Sequence, residues 1–184
     1  MKLKVFAVAT AVAATGALAM AQTPQSHGSP VAARAEIKGQ GISGTAELSE
    51  HAQGNGIMVE LSLNVTGLTR GKHGVHLHAV GKCEPDFAAA GGHFDPGPAS
   101  NTDPDANHPF HMGDVPNLDV GADGQGFMKI VTTRVTLSDG PLSVFDADGT
   151  AIIIHGNEDK GTTGAPKSGV SGGPRVACGV LVKK

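Results

Sequence analysis

The chain has 184 residues, of which 14 are Lys or Arg and 17 are Asp or Glu, so its formal net charge at pH 7 is −3. This acidic balance argues against nucleic acid as a partner. The chain has 27 glycines and 11 prolines but no Trp or Tyr, which predicts one turn-rich domain with a core of aliphatic side chains.

The first 21 residues have the pattern of a secretory signal peptide. Two lysines precede an apolar run over residues 5–18, and small residues at positions 19 and 21 fit a cleavage site. A membrane-spanning helix is the weaker interpretation, because the run is shorter than the roughly 20 residues that a span requires. The sequence therefore predicts an exported protein, periplasmic or secreted, without a membrane span. Residues 22–32 are expected to form a flexible tail, and residues 33–184 the folded domain.

Regular structure in the domain is predicted to be β throughout. Residues 57–65 alternate apolar and polar side chains, which is typical of a strand with one buried face. No window shows a sustained helical period, and pairs such as Asn55-Gly56 indicate turns. These features predict an antiparallel sandwich or small barrel with two long excursions, at about residues 82–126 and 156–175. The other predicted strands cover residues 35–48 with a break at 39–41, 74–80, 127–137, 150–155 and 176–182.

Residues 73–78, HGVHLH, place two histidines two positions apart on one predicted strand. Side chains alternate faces along a strand, so His76 and His78 share one face while His73 lies on the other. A pair of exposed polar positions is the alternative interpretation. A metal site is favoured because imidazole suits zinc and copper and because further histidines lie in segments that can converge. The full set is His73, His76, His78, His93, His108, His111 and His155.

Cys83 and Cys178 are the two cysteines of the chain. Export to an oxidising compartment favours a disulfide between them. Such a bond would close a loop of about 95 residues, which stabilises a fold by about 4 to 5 kcal/mol in the chain-entropy model. Free thiols or cysteine metal ligands are less favoured, because the pair does not have CxxC spacing and histidines are plentiful.

Five segments, spread over nearly all of the domain, are more specific than the strand pattern. They are HGVHLHAVGKC at 73–83, AGGHFDP at 90–96, HMGDVPNL at 111–118, IIIHGNED at 152–159 and GGPRVACGVLV at 172–182. In this order they closely resemble the exported bacterial copper/zinc superoxide dismutases.

The resemblance implies an all-β fold, an eight-stranded Greek-key β-sandwich or flattened barrel of immunoglobulin-like form, with two long functional loops. It also implies one copper and one zinc per subunit, and dismutation of superoxide to oxygen and hydrogen peroxide. Members include monomers and homodimers, so the oligomeric state stays open. The alternatives are an exported sandwich that binds or delivers copper without turnover, and a structural sandwich that has lost catalysis. Neither explains why an arginine and a bridging histidine accompany all four copper-ligand positions.

The resemblance assigns roles to individual residues. His93 takes the position whose imidazolate bridges the two metals, and Asp159 takes that of the carboxylate that links ligands of both. Cys83 and Cys178 match the disulfide of the family. The copper-ligand positions are His76, His78, His93 and His155, and the matched zinc-ligand positions are His93, His111 and Asp114.

One position departs from the family pattern. A zinc-ligating histidine usually follows the bridging one by eight or nine residues, where this chain has Asn101 and Thr102. Either His108 supplies the fourth zinc ligand from a rearranged loop, or the zinc site lacks a ligand and is weak. We favour His108.

Attraction of the anionic substrate must be local, because the chain as a whole is acidic. Arg175 matches the arginine beside the copper that receives the anion, and its guanidinium keeps its charge at any working pH. Lys160 and Lys167 are possible helpers, although loop lysines are more often simply solvated.

Overall fold

The computed structural model describes residues 31–97 and 100–184. The predicted signal peptide and nearly all of the predicted tail lie outside these residues. Among the described residues there are ten β-strands and one 3₁₀ helix, Phe87–Ala90. The strands are β1 (Ala32–Gly39), β2 (Ile42–Gln53), β3 (Gly56–Thr66), β4 (Gly71–His73), β5 (Val75–His78), β6 (Leu118–Val120), β7 (Gln125–Thr132), β8 (Ala151–His155), β9 (Arg175–Val180) and β10 (Val182–Lys183).

The strands form one antiparallel sheet in the order β4-β6-β7-β3-β2-β1-β9-β8-β5, with β10 paired to β1. Its two end strands, β4 and β5, are separated along the chain by Gly74 alone. The sheet therefore curls into a nearly closed barrel, and the all-β fold is confirmed. The family resemblance implies eight strands, and the described residues form ten. The difference arises because Gly74 separates β4 from β5 and Leu181 separates β9 from β10.

Alternation along the strands builds the aliphatic core that the composition predicts. In β3, four side chains at alternate positions are at most 2 % exposed, from Val59 to Val65. Burying one Val or Leu side chain stabilises a fold by about 1.5–3 kcal/mol. Phe94, which follows His93, lies in the same core at 1 % exposure. It therefore anchors the long connection after β5 to the barrel.

Several segments differ from the predicted strands. β2 continues to Gln53 rather than ending at residue 48, and β4 begins at Gly71, before the strand predicted from residue 74. β7 ends at Thr132, whereas the pattern predicts a strand to residue 137. Val135 and Leu137 are buried as the alternation requires, but the next main-chain N–H, that of Ser138, donates to the Glu50 carboxylate at 2.9 Å instead of extending a ladder. The first excursion is shorter than predicted, because residues 118–120 pair with β4 as strand β6.

Two of the long connections, those that follow β5 and β8, lie over one end of the barrel. We call residues 79–117 loop A and residues 156–174 loop B. Asn157 in loop B accepts the N–H of Gly74 at the point where β4 meets β5 (2.9 Å), and Asn117 at the end of loop A donates its side-chain amide to a loop B carbonyl (2.9 Å). The loops are therefore packed against each other and against the barrel.

Within the described residues, we find no helix with the length and apolar character needed to cross a membrane.

The predicted disulfide between Cys83 in loop A and Cys178 in β9 is present, with the two Cα atoms 5.8 Å apart. Cys178 packs with Ala90, Ala151 and Ile153 in a second small core beneath loop A. The bond ties the start of loop A to the strand that follows loop B. Both loops are thereby fixed to the same part of the barrel.

We expect Cys83→Ser to lower the free energy of unfolding by about 2–5 kcal/mol, because the unfolded chain regains the freedom that the disulfide removes. It should also weaken metal retention, since the start of loop A is released. Denaturant unfolding and metal analysis after dialysis measure the two effects. Cys178→Ser is the matched control and should give the same loss; an unchanged unfolding midpoint in either variant would contradict a stabilising role.

Candidate metal centre

Four histidines meet at the end of the barrel where loops A and B pack. His76 and His78 come from β5, His93 from loop A and His155 from the end of β8, and each is at most 2 % exposed. One ligand atom of each lies within 4.8 Å of the others. His76 and His78 are two positions apart on β5, so their side chains point to the same face of the sheet. The pairing of β8 with β9 shifts register between Ile154 and His155, and such irregularities change the direction of a side chain.

Three of these rings are oriented by hydrogen bonds on the nitrogen that faces away from the group. A main-chain carbonyl can only accept, so the Nδ1 atoms of His78 and His155 carry protons and their Nε2 atoms carry lone pairs. The bonds are His78 Nδ1 to Gly91 O (3.0 Å), His155 Nδ1 to Gly173 O (2.9 Å) and His76 Nε2 to Asp159 Oδ2 (3.0 Å).

The nitrogens on the inner side of the group are buried and have no hydrogen-bond partner among the described residues. They are Nδ1 of His76 and Nε2 of His78, His93 and His155. Leaving a buried polar atom without a partner costs about 1–3 kcal/mol. A cation bound among four lone pairs removes that cost, and a set of four imidazole nitrogens suits copper. The residues present therefore fit a copper ion.

Burial keeps the four rings neutral. It lowers the pKa of His76 and lowers that of His78 well below its ordinary value. It also lowers the pKa of His93 to about 4 and that of His155 to about 3. Neutral imidazole is the form that binds metal ions, so these side chains are ready to act as ligands at neutral pH.

Asp114 lies at the centre of a second group on the other side of His93. Its Oδ1 is 2.7 Å from His93 Nδ1, and its Oδ2 is 2.9 Å from His111 Nδ1 and 3.3 Å from His108 Nδ1. Three imidazole nitrogens thus converge on one carboxylate. Three nitrogens and a carboxylate oxygen make a four-ligand set of the kind that zinc prefers, so this group fits zinc.

Asp159 links the two groups. Its Oδ2 accepts from His76, and its Oδ1 accepts from His108 Nε2 at 2.6 Å. His108 is completely buried, and its Nδ1 faces Asp114. Burial alone would lower the pKa of His108, but the nearby carboxylate of Asp114 and the hydrogen bond to Asp159 outweigh it and raise the pKa to about 9. In the metal-free protein His108 is therefore the charged partner of the two carboxylates. A zinc ion bound by Nδ1 would take over the positive charge beside Asp114, with the proton on Nε2 still directed to Asp159.

The second group differs in one member from the predicted zinc ligands. The residues whose ligand atoms lie within 4.8 Å of one another are His76, His93, His108 and Asp114, with His76 in place of His111. His76, however, directs Nδ1 into the first group and bonds Asp159 through Nε2. His111 directs both its ring Nδ1 and its main-chain N–H to Asp114 Oδ2, each at 2.9 Å. These contacts favour His111 over His76 as a partner of Asp114.

The backbone around His93 is fixed by a close approach of loop A to itself. The N–H of His93 donates to the carbonyl of Thr102 at 3.0 Å. A Cβ atom at Gly92 would collide with the same carbonyl, so the position accepts only glycine. Asn101 takes part in this turn, since its main-chain N–H donates to Asp95 Oδ2 at 3.1 Å.

Arg175 lies in a pocket of about 420 Å³ that reaches His155. Its guanidinium donates to the carbonyls of Phe87 and Gly91, at 2.6 Å each. Since the carbonyl of Gly91 also accepts from His78, the guanidinium is held in a fixed position relative to the first group. An anion entering this pocket would meet a positive charge beside the four histidines.

Two residues that hold the site together are not indicated by the sequence patterns. Asn117 exchanges hydrogen bonds with the main chain of Asp159, donating at 2.9 Å and accepting at 2.8 Å. Its place in the segment 111–118 was the available signal. Asp105 accepts hydrogen bonds from loop B, but it is one of several carboxylates in loop A and has no distinguishing pattern.

Comparison with known sequences agrees with this geometry. The family model for copper/zinc superoxide dismutase matches residues 42–181. A Cu-Zn superoxide dismutase of Deinococcus radiodurans is 39 % identical over 151 residues, which cover 76 % of this chain and 77 % of that protein. One of Caulobacter vibrioides is 40 % identical over 131 residues, covering 67 % and 71 %. An extracellular Cu-Zn superoxide dismutase of Caenorhabditis elegans is 32 % identical, covering 69 % and 57 %.

Solved structures show the same architecture. The clock protein EA4 superposes with a TM-score of 0.68 at 27 % identity, covering 84 % of this chain and 97 % of that one. A SOD-like protein from Bacillus subtilis superposes with a TM-score of 0.65 at 31 % identity, covering 81 % and 97 %.

We expect His108→Ala to reduce zinc affinity by at least about 100-fold, because losing even an outer partner of a ligand costs about 10–100-fold. Competition with a chromogenic zinc chelator measures the affinity. Asn101→Ala is the matched control in the same loop and should bind zinc nearly as the unchanged protein does. Equal zinc affinity in His108→Ala and the unchanged protein would exclude His108 as a ligand.

Proposed function

The chain belongs to the copper/zinc superoxide dismutase family, and we propose that it converts superoxide to oxygen and hydrogen peroxide at a copper ion that His93 links to zinc. The observation that carries the proposal is the convergence of four buried imidazole nitrogens, without hydrogen-bond partners in the described part of the chain, beside the pocket that holds Arg175. A protein that only stores or delivers copper has no use for a fixed guanidinium at that place.

The two metal sites share one histidine. His93 directs Nε2 into the first group and Nδ1 to Asp114, which supports the role of a bridging imidazolate. The proposed copper ligands are Nδ1 of His76 and Nε2 of His78, His93 and His155. The proposed zinc ligands are Nδ1 of His93, His108 and His111 and the carboxylate of Asp114.

The reaction consumes two superoxide ions and two protons and gives one O₂ and one H₂O₂. A copper ion held by these histidines would supply the one-electron redox chemistry that joins the two superoxide ions. Nε2 of His93 is the atom at which the chain could hold a proton whenever this nitrogen is not bound to copper, because Nδ1 of the same ring is directed to the second group, at Asp114. Release of that proton to the reduced substrate helps form hydrogen peroxide.

Two charged side chains fix the geometry of these steps. Asp159 bonds His76 and His108 at once and so orients one ligand of each metal. Arg175 binds the anion in the pocket beside His155, and its two bonds to main-chain carbonyls hold its charge in place before substrate arrives. A guanidinium that is already oriented loses little freedom when the anion binds.

Lys167 and Lys160 differ in their surroundings. Lys167 lines the same pocket as Arg175, so we assign it a part in attracting superoxide. Lys160 forms an ion pair with Glu158 at 2.7 Å, and its charge is partly compensated there. Steering therefore rests on Arg175 with help from Lys167.

Export is part of the proposal. The chain has a disulfide, a bond typical of oxidising compartments, and one of its relatives is an extracellular superoxide dismutase. Residues 1–21 are proposed as the signal peptide, residues 22–32 as a flexible tail and residues 33–184 as the enzyme domain. Periplasm and secretion both fit, as do monomer and homodimer.

We expect His78→Ala to lower dismutase activity by at least about tenfold and to reduce the bound copper, because one of four copper ligands is lost. The sandwich should stay folded, which circular dichroism checks. His51→Ala is the matched control, since His51 lies on β2, where its ring bonds Ser49, and belongs to neither histidine group. Full activity of His78→Ala at normal copper content would refute the copper assignment.

We expect Arg175→Glu to lower the second-order rate by about tenfold or more, and Arg175→Lys to lower it less, because the charge of this residue attracts the anion. Copper content should be unchanged in both variants. The rate of the unchanged protein should fall as salt rises, since the Debye length is about 8 Å at physiological ionic strength. Pulse radiolysis measures these rates. Rates that do not change with the charge at residue 175 or with salt would contradict electrostatic steering.

We expect Lys167→Gln to lower the rate more than the control Lys160→Gln does, because Lys167 lines the anion pocket and Lys160 is paired with Glu158.

A further inference from the structure

We propose that Asp105 is a positioning residue for the anion pocket, holding residues 169–171 of loop B in place as the wall of the pocket beside His155 and Arg175. The inference rests on the proposed function of that pocket. Asp105 belongs to loop A, and nothing in its local sequence distinguishes it from the other carboxylates there.

The carboxylate of Asp105 is bound almost entirely by loop B. The side chain is 3 % exposed. Its Oδ2 accepts the N–H of Gly169 at 2.9 Å, and its Oδ1 accepts both the N–H and the hydroxyl of Ser171, at 3.1 and 2.9 Å. Its main-chain carbonyl accepts the N–H of Gly164 at 2.8 Å. Four hydrogen bonds therefore join one residue of loop A to three residues of loop B.

The carboxylate of Asp105 is stabilised by these hydrogen bonds and not by a positively charged side chain. Among the described residues, no ion pair includes Asp105. A buried carboxylate without a cation requires hydrogen-bond donors, and bonds to a charged acceptor are stronger than bonds between neutral groups. Loop B supplies the donors, so the position of its residues 169–171 is tied to Asp105.

The segment that Asp105 holds leads directly into the residues that contact His155, one of the proposed copper ligands. Gly169, Ser171 and Gly173 line the pocket together with His155 and Arg175. The carbonyl of Gly173 accepts from His155, and a Cβ atom at Gly172 would lie 2.7 Å from Cβ of His155. Movement of residues 169–173 would therefore change both the pocket and the orientation of His155.

A simpler role for Asp105 predicts the opposite effect. A carboxylate that lines an anion pocket repels the anion, so removing its charge should tighten anion binding. If Asp105 instead positions loop B, removing its bonds should loosen the pocket and weaken anion binding. The sign of the change distinguishes the two roles.

Asp103 provides the control for charge. It also lines the pocket, but its Oδ1 accepts from the main chain of Asp105 and Ala106, within loop A. Asp103→Asn and Asp105→Asn therefore remove the same charge from the same pocket, and only the second weakens the attachment of loop B.

The test titrates the copper- and zinc-loaded protein with azide, a monovalent anion, and follows the Cu(II) absorption. We expect Asp105→Asn to raise the dissociation constant of azide by about fivefold, and Asp103→Asn to leave it unchanged or to lower it. Ser171→Ala, which removes one of the bonds, should give an intermediate value. An azide dissociation constant in Asp105→Asn that equals or lies below that of the unchanged protein would overturn the proposal.

A second measurement does not depend on the metals. In the metal-free protein, hydrogen exchange at the amides of Gly169 and Ser171 should be about tenfold faster in Asp105→Asn than in the unchanged protein. Equal exchange rates in the two proteins would contradict the proposal that Asp105 holds loop B. If the unchanged loaded protein gave no azide response, the proposed function of the pocket would fail, and exchange would still decide whether Asp105 holds loop B.

Discussion

The site depends on two buried carboxylates whose oxygens must be hydrogen-bonded or paired by histidines from separate parts of the chain. Asp114 and Asp159 are each at most 8 % exposed, and burying an unpaired carboxylate is too costly for a fold to tolerate. Each is therefore surrounded by imidazoles, with His108 in contact with both. The bonds to these carboxylates fix the orientations of the histidine rings. The second nitrogens of His76 and His93 are then directed into the four-histidine group.

The barrel and the loops contribute differently to this arrangement. His76, His78 and His155 lie on paired strands, so their positions follow from the register of β5 and β8. His93, His108 and His111 lie in a loop with little regular structure, and a loop needs separate attachments to hold a geometry. Loop A is attached by the disulfide, by Phe94 in the core and by its polar contacts with loop B.

The sequence was informative where a periodic pattern decides the outcome. Parity alone placed His76 and His78 on one face, and two cysteines in a chain predicted to be exported indicated the disulfide. The pattern failed at the end of β7, because the same alternation of buried and exposed residues continues after the ladder has stopped. The periodic pattern did not single out Asp105 or Asn117, because their roles depend on which main-chain groups of loop B lie opposite them. Such contacts between irregular segments have no period that a sequence could reveal. His108 is buried between two carboxylates. The distance of His108 from the other histidines along the sequence likewise did not predict this position.

The closure of the barrel through Gly74 also bears on how this protein behaves towards other chains. An open sheet ends in rows of unpaired main-chain groups, which can recruit a strand from another molecule and start aggregation. Here both ends of the sheet belong to one stretch of chain, and the end strands β4 and β5 have 3 and 4 residues. Such short edges offer little length for a foreign strand to pair with. The same closure that places His76 and His78 in the four-histidine group thus gives a sheet-rich protein resistance to polymerisation.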